Sequence, residues 1–178
     1  MMSFVKDTYQ KALEDYTYNM DVNARGTFLC TKKVAPFMAQ RESGNIINVN
    51  TNHIKRYLFS VSKSEHSYDA SKYAQLALNE SMAKELIQYG VRVNAICPAS
   101  TRTPMLNGYF KPEDLPLTKE TIRKATHYSS LLEPEEVAMA VCGMLQWPKD
   151  APVGKEYLLM YSEDCKKLAA GPVEELAK

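Results

Sequence analysis

Apolar and polar residues change period several times along this chain, and each change marks an element. From Thr8 to about Gln40 the period is helical, with Tyr16, Met20, Asn23, Thr27, Thr31 and Val34 along one stripe and Gly44 as the stop. Residues 45–50 then read as a short strand: Ile46, Ile47 and Val49 favour a buried β segment that ends at the polar Asn50-Thr51-Asn52. A polar loop follows to Ser67. A second long helix is expected from Tyr68 to Tyr89, with Ala70, Ala74 and Ala77 keeping one side small, Leu76, Leu86 and Ile87 supplying core, and Gly90 ending it. Arg92 to Cys97 forms the second strand. Pro104, Pro112 and Pro116 then exclude one continuous helix, and a short helix is expected at about Thr118 to Tyr128. Glu133-Pro134-Glu135-Glu136 has the Pro and acids of a helix first turn, running to about Leu145, with Trp147-Pro148 as its close. Glu156 to Tyr161 is a third strand, and the tail from 164 to 178 reads as a partly frayed helix. There is no internal repeat.

Strands alternating with helices pair in parallel through right-handed crossovers, so the predicted fold is α/β: three strands of a doubly wound, Rossmann-like parallel sheet flanked by long helices. With 178 residues, 45% hydrophobic and 24% charged, residues 1–178 are expected to form a single domain with a real core. The net charge is only +1 and the basic residues are dispersed, so neither nucleic acid nor an anionic membrane is an expected partner. Lys6, Asp7, Lys11, Glu14 and Asp15 interrupt the first twenty residues, which predicts no signal peptide or transmembrane helix and a cytoplasmic location. Cys30, Cys97, Cys142 and Cys165 form no C-x-x-C and read as buried reduced thiols. Three histidines, at 53, 66 and 127, make no ligand cluster, so no metal is expected.

The chemistry concentrates in Ser67-Tyr68-Asp69-Ala70-Ser71-Lys72. On a helix, residues four apart share a face with Cβ atoms about 5–6 Å apart. At an effective dielectric near 20, the Lys72 ammonium favours the Tyr68 phenolate by roughly 2–3 kcal/mol, about two pKa units below a reference near 10. Tyr68 is thus a candidate general acid or base; a surface pair at a helix start is the plain alternative.

Around that pair lie Gly44-Asn45-Ile46-Ile47-Asn48-Val49-Asn50-Thr51 before it, Gly90-Val91-Arg92-Val93-Asn94-Ala95-Ile96-Cys97-Pro98 after it, and Asn19-Met20-Asp21-Val22-Asn23-Ala24-Arg25-Gly26-Thr27-Phe28 upstream. In this order the segments resemble the short-chain dehydrogenase/reductase family, from about Tyr16 to Tyr161. The resemblance implies an NAD- or NADP-dependent oxidoreductase that interconverts a small-molecule carbonyl and a secondary alcohol. Tyr68 resembles the family's acid/base, and Lys72 the lysine that lowers its pKa and holds the nicotinamide ribose. Thr51 takes the place of the hydroxyl that binds the substrate oxygen, although it lies seventeen positions before Tyr68, a few more than is common, and a turn role is the alternative. Asn23 resembles the asparagine of a water relay to the lysine; satisfying backbone at a helix kink is the other role open to it. Pro98 to Met105 resembles the P-G-x-x-x-T stretch at the nicotinamide carboxamide, which makes Pro98, Thr101 and Thr103 candidate cofactor residues. Ala99 stands where glycine is usual, and a positive φ there would cost energy. Asn94 reads as a residue that orders backbone. Residues 104–130 are the expected substrate lid, with Arg102 and Lys111 as weaker candidates for an anionic group or, more simply, a solvated face.

The family's opening strand, Gly-rich phosphate turn and helix have no counterpart here. The seven glycines, at 26, 44, 90, 108, 143, 154 and 171, are too dispersed to build such a turn. The chain therefore resembles the C-terminal half of the fold. The strand at 45–50 then becomes a candidate open edge, which predicts a homo-oligomer or a complementary N-terminal half as partner. The competing reading is a truncated, catalytically silent remnant that acts as an oligomerisation or interaction module.

Overall fold

The computed structural model describes residues 5–55, 66–126 and 130–177. The polar loop expected before Ser67 and the last residues of the helix expected to reach Tyr128 fall largely outside them. Three strands, β1 (Gly44–Val49), β2 (Val91–Pro98) and β3 (Glu156–Leu159), form a parallel sheet in the order β1-β2-β3. The doubly wound α/β expectation is met. Strand β2 is buried along all but its last residue, as a strand with neighbours on both edges and cover on both faces must be.

The described residues cluster into two compact units. The first holds the long helical run, β1, helix α3 (His66–Leu86), β2 as far as Ala95, and Pro152–Lys155. Its helical run begins at α1 (Tyr9–Asn19), where the Thr8 hydroxyl accepts from the Lys11 N–H at 3.3 Å and caps the first turn. The run is not one α-helix as its periodicity suggests. Met20–Arg25 is a π-helical turn, marked by Gly26 N–H donating to Asp21 C=O, and α2 (Gly26–Gln40) continues beyond it. The extra residue in that turn rotates the downstream face, so Thr31 of the expected stripe is buried while Tyr16 and Val34 are exposed. Nor does Gly44 stop the helix. Glu42, at φ 50°, makes the left-handed turn, and Gly44 opens β1, where a Cβ would meet Met38 Sδ at 2.6 Å. Gly90 does end the next helical run, at φ 69°, after a 3-10 turn over Ile87–Tyr89.

Helix α3 buries Ser67, Ser71, Lys72, Gln75, Asn79, Ala83 and Leu86. Sequence reading assigned that role to Ala70, Ala74, Ala77, Leu76 and Ile87. Ala70 and Ala77 are exposed and Ile87 is 41% exposed; of the proposed core positions only Leu86 is buried. The apolar core of this unit sits at the far end of the helix, where Ala83, Leu86, Val91 and Val93 pack with Ala35, Met38, Ile46 and Met82. Asn94 orders backbone as expected: its amide donates to Pro152 C=O and accepts from Lys155 N–H, each at 2.9 Å.

The second unit holds Thr51–Lys55, the chain from Ile96 to Ala151, and β3 onward. It contains α4 (Pro104–Asn107), α5 (Lys119–Thr126), α6 (Pro134–Leu145) and α7 (Ser162–Ala170). Glu133 and Glu136 form a reciprocal capping box at the start of α6. Leu117, Ile122 and Leu131 form a core with Leu106 and Phe110. Gly143 of α6 lies so close to α7 that a Cβ would meet Ala169 backbone at 2.4 Å. Trp147 and Tyr157 meet edge to face, with centroids 5.4 Å apart. Among the described residues no helix is long and apolar enough to cross a membrane. No disulfide joins the cysteines: Cys97 and Cys165 are buried, but Cys30 and Cys142 are exposed, contrary to the expectation of four buried thiols.

Candidate active site

The polar face of α3 is held by the helical run before it. Asn19 Nδ2 donates to Ser67 Oγ (3.2 Å), Asn23 Nδ2 to Ser71 Oγ (2.9 Å), and Gln75 Nε2 to Thr27 Oγ1 (2.7 Å). Both partners advance four residues per rung, a constant offset of 48. Four is close to one helical turn, so successive rungs stay on one face of each helix. Asn23 projects from the π turn. Its amide reaches Ser71, whose hydroxyl donates to Tyr68 C=O at 2.7 Å. The rungs link Asn23 to the Tyr68-Lys72 segment through hydrogen bonds that sequence reading did not assign.

Tyr68 and Lys72 share a face as their spacing predicts. The Lys72 ammonium lies 5.8 Å from the centroid of the Tyr68 ring, over its face. It donates to Val49 C=O at 2.8 Å and to Gln75 Oε1 at 3.2 Å, and Asn50 Nδ2 donates to Lys72 C=O at 3.0 Å. Lys72 is only 8% exposed, yet it lines, with Asn23, Thr27, Gln75 and Ile46–Val49, a groove of about 450 Å³ along β1. Desolvation at such a position disfavours an ammonium, while the two carbonyl oxygens and the ring face favour it.

Thr51, Pro98, Thr101 and Thr103 belong to the second unit. Thr51 is buried just beyond β1; its hydroxyl donates to Asn52 Oδ1 (3.5 Å) and accepts from His53 N–H (3.4 Å), the hydroxyl turn that stood as its alternative role. Pro98 ends β2. Ala99 has no positive φ, so it carries none of the strain its place in the motif raised, and its N–H donates to Leu159 C=O at 2.8 Å. Thr101 bridges Leu132 and donates its hydroxyl to Ala99 C=O at 3.0 Å. Thr103 is extended and caps α4 by accepting from Leu106 N–H at 3.3 Å. Arg102 is not on a solvated face: Nε reaches both Glu133 carboxylate oxygens, at 2.9 and 3.2 Å, and Nη1 donates to Leu117 C=O. Lys111 pairs loosely with Glu113 at 3.8 Å.

Ser67, Ser71, Gln75 and Thr27 were missed as site residues. Their signal was present in the sequence: polar residues spaced by four at 19, 23, 27 and again at 67, 71, 75, 79.

A family model described as enoyl-(acyl carrier protein) reductase matches residues 3–154. Oxidoreductase UcpA of Salmonella typhimurium is 34% identical over 127 residues, which is 70% of this chain and 47% of that protein. The chain thus spans about half the length of this curated relative. Among solved structures, levodione reductase superposes with TM-score 0.69 at 25% identity, over 84% of this chain and 57% of that one. ElxO with NADP bound superposes with TM-score 0.68 at 18% identity, over 92% and 61%. A motif order shared from the helical run to β3, a parallel sheet of the same fold and a match over most of the sequence agree: the chain belongs to the short-chain dehydrogenase/reductase family.

Proposed function

We propose that this chain carries the acid/base half of an NAD- or NADP-dependent oxidoreductase that interconverts a small-molecule carbonyl and a secondary alcohol. The observation that carries this reading is the Lys72 ammonium: nine-tenths buried, above the Tyr68 ring, and still lining an open groove. A buried lysine that served packing alone would have no reason to face a cavity with Asn23 and Gln75. The residues fit the nicotinamide-ribose end of a dinucleotide, where Lys72 and Tyr68 offer donors. They do not cradle its pyrophosphate, because none of the three strand-to-helix connections contains a glycine.

When bound, a nicotinamide dinucleotide supplies or accepts the hydride. In this reading Tyr68 gives a proton to the carbonyl oxygen in reduction and takes one from the alcohol in oxidation, and Lys72 holds the phenol in the range where that transfer runs. The Thr51 hydroxyl hydrogen-bonds the same oxygen. Asn23, fixed by Ser71 in the π turn, orders the water beside Lys72. Pro98, Thr101 and Thr103 face the carboxamide, and residues 104–130 cover the substrate. The phosphate-binding strand, turn and helix come from outside these residues, in a complementary N-terminal half or through self-association. Two features support such a partner. Strand β1 ends the described sheet with Val49 52% exposed, and nine of the twenty exposed large apolar residues lie between Tyr9 and Phe37. The glycine-free strand-to-helix connections favour the second reading for this chain in isolation: an interaction module that binds no dinucleotide.

Titration of the chain with NADH and with NADPH, read by nicotinamide fluorescence, separates the two. Saturable binding that weakens on Lys72→Met supports the enzyme reading. Absence of binding to millimolar concentration, alone and with a complementary half, leaves the interaction module. In a completed, active protein, Tyr68→Phe should cost about 10²–10⁴-fold in turnover, and unchanged turnover would remove Tyr68 from the reaction.

A further inference from the structure

We propose that Gln75 is a positioning residue for the Lys72 ammonium, and that Thr27 sets the direction of the Gln75 amide. The role in turnover rests on the reading of Lys72 given above; the geometry stands without it.

Three observations carry it. Gln75 is 6% exposed and lies three residues beyond Lys72, so the two side chains share the inner face of α3. A buried primary amide has one accepting and one donating end, and only the accepting end suits an ammonium. Thr27 resolves the choice: its Oγ1 takes the Nε2 hydrogen at 2.7 Å, which leaves Oε1 toward Lys72 Nζ at 3.2 Å. The second acceptor, Val49 C=O, belongs to β1, so the ammonium is held between strand and helix at the floor of the groove. The charged and polar groups printed around Nζ are thus Val49 C=O, the Gln75 amide and the Tyr68 ring. Without Gln75 the ammonium loses an oriented dipole that favours its charged form.

The test follows the titration of Lys72 itself by NMR in the whole chain carrying [ε-13C]lysine, with its signal identified by loss in Lys72→Met. The expected order of midpoints is Gln75→Leu below wild type and Gln75→Glu above it, each step about one pH unit. Thr27→Val should lower the midpoint by less than Gln75→Leu, because it frees the amide to turn without removing it. A residue that only packs would change the melting temperature of these variants and leave the order of midpoints unmoved. If Gln75→Leu does not fold, the rise in Gln75→Glu and the fall in Thr27→Val carry the decision. Midpoints that agree within about 0.2 pH unit across the series overturn the proposal. The measurement uses no cofactor, so failure to bind NADH or NADPH would sink the enzyme reading and leave this result intact, and the converse also holds.

Discussion

Asn48 of β1 and Asn79 of α3 form a buried amide pair whose replacement should be strongly non-additive. Asn48 is 8% exposed and Asn79 fully buried; Asn48 Nδ2 donates to Asn79 Oδ1 at 3.0 Å, while Asn79 Nδ2 finds no hydrogen-bond partner. Asn48→Val removes the donor and leaves both ends of the Asn79 amide buried without a partner, a cost of about 1–3 kcal/mol. Asn79→Leu strips the acceptor from Asn48 at a similar gross cost. It also deletes an amide hydrogen that was already unsatisfied, so the net loss should be smaller, about 1 kcal/mol. In the double variant no orphaned amide remains, valine suits a strand, and leucine matches asparagine in size. Its stability should equal or exceed that of wild type. Urea unfolding followed by circular dichroism and by Trp147 fluorescence, with coincident transitions as the two-state check, gives the four free energies. A double variant that costs the sum of the two singles within about 0.5 kcal/mol would refute the reasoning, because independent sites add and an orphaned pair does not.

Other outcomes follow from the same geometry. Gly90→Ala should destabilise by about 2–5 kcal/mol: a left-handed φ costs about 1–2 kcal/mol, and a Cβ set 2.4 Å from Glu42 O adds a collision. Gly154→Ala, at nearly the same φ but 3.4 Å from Ala83 Cβ, should show the first cost alone in the same urea assay; equal losses would deny the contact at Glu42. A chromogenic disulfide reagent should titrate the exposed Cys30 and Cys142 rapidly in the native chain, and Cys97 and Cys165 only after unfolding. Burial, reinforced by Glu136 and Asp164, pushes the Cys165 thiol up to about 11. The Ser162 hydroxyl, then the Glu133 N–H, holds the Glu136 carboxyl below its ordinary value. Its contribution to stability is therefore present above the unfolded pKa and is lost as pH falls through the folded one. Glu136→Gln should flatten the acid limb of stability below about pH 4.5, and an unchanged limb would contradict the assignment.

Much of the fold was legible locally. Helix and strand periods, the stop at Gly90 and the Pro-acid start of α6 depend on neighbours in sequence, and they fell within a few residues of the observed bounds. The pairing of Tyr68 with Lys72 on one face was legible for the same reason, since four residues are one helical turn. The inner face of α3 was not. Small and apolar Ala70, Ala74 and Leu76 looked like core, but the helix instead turned toward a neighbour that offers amides and a hydroxyl, so its serines, lysine and glutamine went inside. The π turn was also hidden, because Asn19 to Thr27 reads as ordinary helix and only the backbone bond from Gly26 to Asp21 reveals the extra residue.

By itself, the sequence determined the order and type of the elements, the family to which they belong and the acid/base candidates. Each of these rests on a local period or on a motif confined to one segment. The tertiary structure decided which residues meet across segments: Gln75 with Thr27, Lys72 with Val49, and Arg102 with Glu133. The physical reason is that a buried polar group must find a partner. Which partner it finds depends on groups brought close by packing, and these lie 15 to 48 residues apart in the chain.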